Sequence, residues 1–156
     1  MVSGDGRFVA FESLATNLSD QDRNTHWDIY LHDMVADRTT CVSIGLGLKK
    51  SNGDSRTCGI SENGRYVLFE SDASNLVKRD KNEARDVFLF SRRDERIQHV
   101  SIGTDGREFA DASQGLGLSA NGQIIAFSRQ ESVLVRDLQL GLTNVSELGE
   151  SQLALA

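Results

Sequence analysis

The chain repeats itself with a period of 58 residues, and this repeat constrains the fold more than any other feature. Displacing the sequence by 58 positions aligns Gly6 with Gly64 and Gly64 with Gly122. In the ungapped comparison of residues 3–60 with residues 61–118, 21 of the 58 pairs are identical. A fixed period of this length indicates a repeat architecture in which each repeat forms one supersecondary unit.

Each repeat contains four short segments with the residue pattern of β-strands. The second segment follows an Asp-Gly or Asn-Gly pair, which is the strongest short-range hairpin signal. It is apolar at consecutive positions, so we expect both of its faces to be covered. The first segment is rich in small residues and the fourth is more polar, as expected for inner and outer strands. The first segment lies at 58–61 and 115–119, and the second at 8–11, 66–69 and 124–127. The third lies at 29–31, 87–90 and 133–135, and the fourth at 41–44, 100–102 and 144–146.

These features predict an all-β protein built from four-stranded antiparallel sheets. Residues 60–71 (Ile-Ser-Glu-Asn-Gly-Arg-Tyr-Val-Leu-Phe-Glu-Ser) and 86–90 (Asp-Val-Phe-Leu-Phe) resemble the TolB-like, or WD40-like, β-propeller repeat. Glu62 and Asn63 stand where that repeat usually has proline and aspartate. The resemblance covers all three copies and implies three propeller blades. We place the repeats at approximately 4–61, 62–119 and 120–156, the last with a shortened loop.

Three blades are fewer than the four to eight of closed propellers. An open stack would leave two apolar sheet faces in water. We therefore expect either a partial propeller that belongs to a longer chain, or a homodimer in which two copies associate head-to-tail into a six-bladed ring. Residues 151–156 align with the inner-strand residues 113–118, and we expect this tail to complete the first blade in such a dimer.

Charge and hydropathy exclude several classes of partner. The net charge is −6 and the pI is about 5.0, which disfavours nucleic acid and anionic membranes because both attract basic patches. No apolar run approaches the ~20 residues that span a bilayer. The N-terminal residues lack a signal-peptide pattern, and we expect a periplasmic or extracellular location only if this chain is part of a longer exported protein.

The loops between the second and third strands are the best candidates for a cation site. The first two repeats both keep the pattern Asp-x-Asn-x-x-x-Asp, and calcium prefers oxygen ligands at alternate loop positions. The alternative is that these side chains bond their own backbone and shape the turn. The third repeat lacks this loop. The candidate ligands are Asp20, Asp22, Asn24 and Asp28 in the first loop, and Asp80, Asn82 and Asp86 in the second.

The sequence contains no catalytic set that we recognise. There is no Gly-x-Ser-x-Gly, and the three histidines fall at different places in the repeat. We expect Cys41 and Cys58 to be free thiols on an outer and an inner strand. Trp27 is either an exposed recognition anchor or a cap on the edge of a blade.

We therefore predict a non-catalytic module, without a cofactor except for the calcium suggested by the loops, that binds a protein or peptide through its loops or axial channel. One alternative is the accessory propeller of a larger hydrolase or peptidase. Another is a cation- or carbohydrate-binding surface domain. The fold itself cannot choose among these functions.

Overall fold

The computed structural model describes residues 1–19, 24–78 and 80–146, and this part of the chain contains β-strands and turns but no helix. It forms three antiparallel sheets in which strands that follow one another in sequence lie side by side. No helix in this part could span a membrane. The predicted all-β fold with antiparallel blades is confirmed.

Each sheet is one blade. Blade one contains β1 (Phe8–Ser13), β2 (Asp28–Asp33) and β3 (Arg38–Cys41). Blade two contains β4 (Ser55–Ile60), β5 (Tyr66–Ser71), β6 (Asp86–Ser91) and β7 (Arg96–His99). Blade three contains β8 (Ser113–Leu118), β9 (Ile124–Arg129), β10 (Ser132–Asp137) and β11 (Leu142–Val145).

Within the described residues, blade one has only the end of an inner strand. Val2 forms an isolated bridge with Val9, and Met1 exchanges two hydrogen bonds with Ala10, at 2.6 and 2.8 Å. The repeat period equates Met1 and Val2 with residues 59–60 of β4. These two residues therefore already hold the last two positions that we assigned to the tail 151–156, which lies outside the described residues.

The fourth strand begins earlier than the sequence suggested. We placed it at 41–44 and 100–102, but β3 ends at Cys41 and β7 ends at His99. The preceding turns reverse the chain within a few residues by using left-handed backbone at Asp37 and Glu95, with φ of 49° and 50°. The charged residues after each turn therefore already belong to the strand. The apolar residues that we read as strand lie just beyond it.

The blades are joined by two hydrophobic clusters. Between blades one and two, Phe8, Ile29 and Leu31 of the first blade pack with Phe69 and Phe88 of the second. A second cluster has the same arrangement between blades two and three, with residues such as Leu68, Val87, Ile125 and Phe127. Both faces of blade two are thus covered, which explains its consecutive apolar residues.

The turn between the first and second strands is held by its serine. In blade two, Ser61 Oγ donates to Asn63 Oδ1 at 3.0 Å and accepts from the Tyr66 N–H at 2.9 Å. Ser3 and Ser119 make the same bonds in their own turns. Residues 59–61 and 117–119 match the first three positions of a Gly-x-Ser-x-Gly motif, but their serine is a structural residue of the turn.

The same turn brings neighbouring blades into contact. Gly64 has a φ of 62°, and a Cβ there would collide with the ring of Phe8. Gly122, with a φ of 71°, lies against Tyr66 in the same manner. Glycine is required at both positions for its backbone conformation and for the close approach.

We expect Gly64→Ala to destabilise the fold more than Gly106→Ala. Gly106 also has positive φ, at 76°, but open space where a Cβ would lie. The control therefore incurs only the backbone strain of ~1–2 kcal/mol, whereas Gly64→Ala adds an overpacking cost of ~1–3 kcal/mol. Urea unfolding measures both. Equal losses would show that the Phe8 contact does not constrain this position.

Candidate functional site

The inner strands line a groove of about 620 Å³, which we call the inner groove. It lies between the exposed edge of β1 and the first strands of blades two and three. Along most of β1 this edge has no partner strand in the described structure, because only Val2 and Met1 pair with it. The groove is lined by residues that include Glu12, Trp27, Arg56, Thr57, Cys58 and Glu70.

Two glutamates of the groove link neighbouring blades. The Glu12 carboxylate accepts hydrogen bonds from the N–H and the hydroxyl of Thr57, both at 2.9 Å. Glu70 accepts from the N–H of Gly115 at 3.2 Å. Both amides lie where the register of the inner strand shifts, and a β-bulge leaves such an amide unpaired in its own sheet. The carboxylates therefore satisfy backbone donors of the next blade.

Cys58 lies in the groove but is not a nucleophile. Burial, followed by the negative charge of Glu70, raises the pKa of its thiol to about 12. The thiol stays protonated at neutral pH, and only a thiolate is strongly nucleophilic. Cys41 is buried, and neither Cys41 nor Cys58 forms a disulfide, as predicted.

Trp27 is the large aromatic residue at the rim of the groove. Its backbone is fixed by blade two, since its N–H donates to Asp54 Oδ1 at 3.0 Å and its C=O accepts from the Ser55 N–H at 2.7 Å. Its side chain is nevertheless 43% exposed. The second repeat has Arg85 at this position, where it pairs with Asp72 through two hydrogen bonds of 2.8 and 2.9 Å.

The cation candidates lie in loops closed by hydrogen bonds. Asn24 donates to Asp28 Oδ2 at 2.6 Å, and Asn82 donates to Asp86 Oδ2 at 2.8 Å. Asp20 and Asp22 lie outside the described residues. In the part that is described, no three His, Cys, Asp or Glu residues form a group that could hold a metal ion. Calcium binding stays a prediction.

Each loop aspartate also bonds a serine beyond the fourth strand. Ser43 Oγ donates to Asp28 Oδ1 at 2.5 Å and accepts from the Ile29 N–H at 2.9 Å. Ser101 does the same with Asp86 and Val87, at 2.8 and 2.9 Å. No local sequence signal marks Ser43 and Ser101 as partners of the loop, although they lie one period apart. In blade two, His99 Nε2 lies 3.0 Å from Asp86 Oδ1 and so joins this network.

Asp80 differs from the other loop residues in its electrostatics. Its Oδ1 atom is buried and has no hydrogen-bond partner in the described structure. Burial, followed by the charges of Asp86 and Glu108, raises its pKa to about 6, while the nearby His99 acts in the opposite direction. The Asp86 carboxylate thus disfavours the charged form of Asp80.

Comparison with known proteins establishes the fold. No family model and no curated protein matches the chain. Among solved structures, the crystal structure of TolB from Acinetobacter baumannii matches 92% of this chain and 30% of its own, with a TM-score of 0.53 and 17% identity. The putative TolB from Agrobacterium tumefaciens matches 92% of this chain and 43% of its own, with a TM-score of 0.61 and 13% identity. The chain has the fold of part of a TolB-like β-propeller.

The TolB-like segment is also similar in fold to part of an enzyme. Dipeptidyl peptidase 4 from Porphyromonas gingivalis matches 93% of this chain and 24% of its own, with a TM-score of 0.54 and 12% identity. The segment therefore spans less than half of each of these three proteins. At such identities the likeness concerns the fold.

We expect Asp80→Asn to stabilise the protein at neutral pH. The folded-state pKa of Asp80 is raised to about 6, above the ~3.9 of an unfolded aspartate. Its favourable contribution is therefore complete below the unfolded pKa and is lost as the pH rises through about 6. Urea unfolding at pH 7.5 should show a higher midpoint for the variant than for the wild type.

The advantage of Asp80→Asn should shrink as the pH falls towards the unfolded pKa. Asp105→Asn is the matched control, because Asp105 is an exposed turn residue whose side chain is 60% accessible. A neutral or destabilising effect of Asp80→Asn at pH 7.5 would contradict the assigned electrostatics.

Proposed function

We propose that this TolB-like segment is a non-catalytic binding module that holds an extended peptide in the inner groove. The exposed Trp27 at the rim is the observation that carries the proposal. Tryptophan is enriched among the few residues that dominate the binding energy of protein interfaces. The side chain is exposed while its backbone is anchored, so binding would require little ordering of the protein.

The edge of β1 supports an extended conformation for the peptide. An unpaired strand edge can accept a further strand, with main-chain hydrogen bonds giving affinity and side-chain pockets giving specificity. Arg56 is exposed in the same groove. We therefore expect a peptide with an apolar side chain for Trp27 and an acidic group for Arg56.

Peptide display on the immobilised protein tests this proposal. Trp27 is the single tryptophan of the chain, so its fluorescence should change when a selected peptide binds. Trp27→Ala should weaken binding by roughly 30-fold, the loss expected for a hot spot of ~2 kcal/mol. Isothermal titration calorimetry measures the affinity of the selected peptide for the wild type and for the variant. Val35→Ala is the control, since Val35 is 75% exposed in the β2–β3 turn.

Peptides that bind Trp27→Ala as tightly as the wild type would contradict a role for the groove. A display that enriches no peptide would contradict peptide binding itself.

An accessory role beside a hydrolase is a second candidate. It is supported by the fold similarity to Porphyromonas gingivalis dipeptidyl peptidase 4. The genomic sequence on either side of the segment tests it, because a hydrolase domain in the same reading frame is the expected result.

A calcium site in the second loop is a third candidate. Asp80 favours it, because a buried carboxylate oxygen without a hydrogen-bond partner is a suitable ligand for a hard cation. Calcium should raise the melting temperature of the wild type but not of Asp80→Asn, whereas magnesium should act weakly. A calcium response that persists in Asp80→Asn would exclude the second loop as the site.

A further inference from the structure

The two open ends of the blade stack carry matching surfaces, and we propose that they dock head-to-tail between two copies of this chain. The proposal does not depend on peptide binding. It rests on contacts that recur at both blade interfaces within the chain. For three of these contacts, each open end of the structure presents one half.

The first recurring contact is a backbone hydrogen bond between turns. The Gly4 N–H donates to the Glu62 C=O at 2.7 Å, and the Glu62 N–H donates to the Ala120 C=O at 3.0 Å. These residues are one period apart, so the bonds form a ladder across the blades. The next rungs would use the Ala120 N–H at one end and the Gly4 C=O at the other. One end therefore offers a donor and the other an acceptor.

The second recurring contact places a turn glycine on a large side chain. Gly64 lies against Phe8, and Gly122 lies against Tyr66. The equivalent side chain of blade three is Ile124, which is 38% exposed. The equivalent glycine of blade one is Gly6, which has open space where a Cβ would lie. Head-to-tail docking seats Gly6 of one copy on Ile124 of the other.

The third contact comes from the residue that follows the third strand. In blade two, the Arg92 guanidinium lies 4.1 Å from the centroid of the Phe8 ring. In blade three, Leu138 packs on the cluster that also contacts Tyr66. The equivalent residue of blade one is Met34, which is 58% exposed. Docking brings Met34 of one copy to Ile124 of the other and removes apolar surface from water.

At one position, blade three has an uncharged side chain where the other two blades have a carboxylate. Glu12 and Glu70 each accept an amide N–H from the next blade. Blade three has Ser128 at the equivalent position. A carboxylate buried without a donor would be costly. Because serine is uncharged, its burial does not require an amide donor from the docked blade.

A second copy supplies the missing halves of these contacts at both open ends at the same time. Each copy contributes three blades, so two copies give six, which is within the range of closed propellers. A two-fold ring forms the end-to-end contact twice, and neither open face stays in water. The inner groove of each copy would then face the centre of the ring.

Sedimentation equilibrium tests the proposal on the full chain. We expect a mass twice the 17.1 kDa of one copy. Ile124→Glu and Met34→Glu should each give the mass of a single copy, because each places a charge in the apolar contact. Leu140→Glu should leave the dimer intact, since Leu140 is 67% exposed in the β10–β11 turn of blade three. Circular dichroism verifies that each variant is folded.

Cross-linking provides a second and independent measurement. The double variant Met34→Cys/Ile124→Cys should form covalent dimers on mild oxidation, whereas Met34→Cys/Leu140→Cys should not. Cys41 is buried, and the high pKa of Cys58 keeps its thiol unreactive. A single-copy mass for the wild type, a series of masses above the dimer, or equal cross-linking of both pairs would overturn the proposal.

Discussion

The close approach of each glycine turn to the side chain of the preceding blade is the contact on which the structure depends. Gly64 against Phe8 and Gly122 against Tyr66 set how near neighbouring sheets can lie. That spacing allows the apolar strands of blade two to be covered on both faces. It also brings the carboxylates of Glu12 and Glu70 within reach of the amides of the next blade. The hydrophobic and polar contacts between blades therefore depend on this repeated contact between a turn glycine and a large side chain.

Some side chains of the inner groove stabilise the fold, and others are exposed and can contact a partner. Glu12 and Glu70 satisfy backbone donors, and Cys58 is held in its protonated form. Trp27 is 43% exposed, and its backbone is fixed by hydrogen bonds to blade two. Under the proposed function, the module would recognise a ligand through such exposed side chains on a rigid frame. The proposed function follows from which groups the fold leaves available.

The Asp/Asn pattern left two roles open, calcium ligands or side chains that shape the turn. Asn24 and Asn82 donate to the aspartates four residues later. The same aspartates accept from Ser43 and Ser101. These bonds join the loop to the end of the fourth strand, which accounts for the conservation of the pattern between repeats. Among the loop residues that the structure describes, Asp80 stands apart through its burial and its unpaired oxygen.

The sequence by itself determined the repeat, the strands and the turns, because the 58-residue period, the apolar segments and the Asn-Gly pairs are local signals. It also showed that Ser61 and Ser119 recur at the same position of the turn. Its errors fell on the fourth strand, where left-handed residues such as Asp37 begin the strand early. Tertiary structure alone decided which carboxylates meet which amides, how far Trp27 is exposed, and that Gly6 and Ile124 lie at opposite open ends. These properties depend on contacts between blades, which no local pattern encodes.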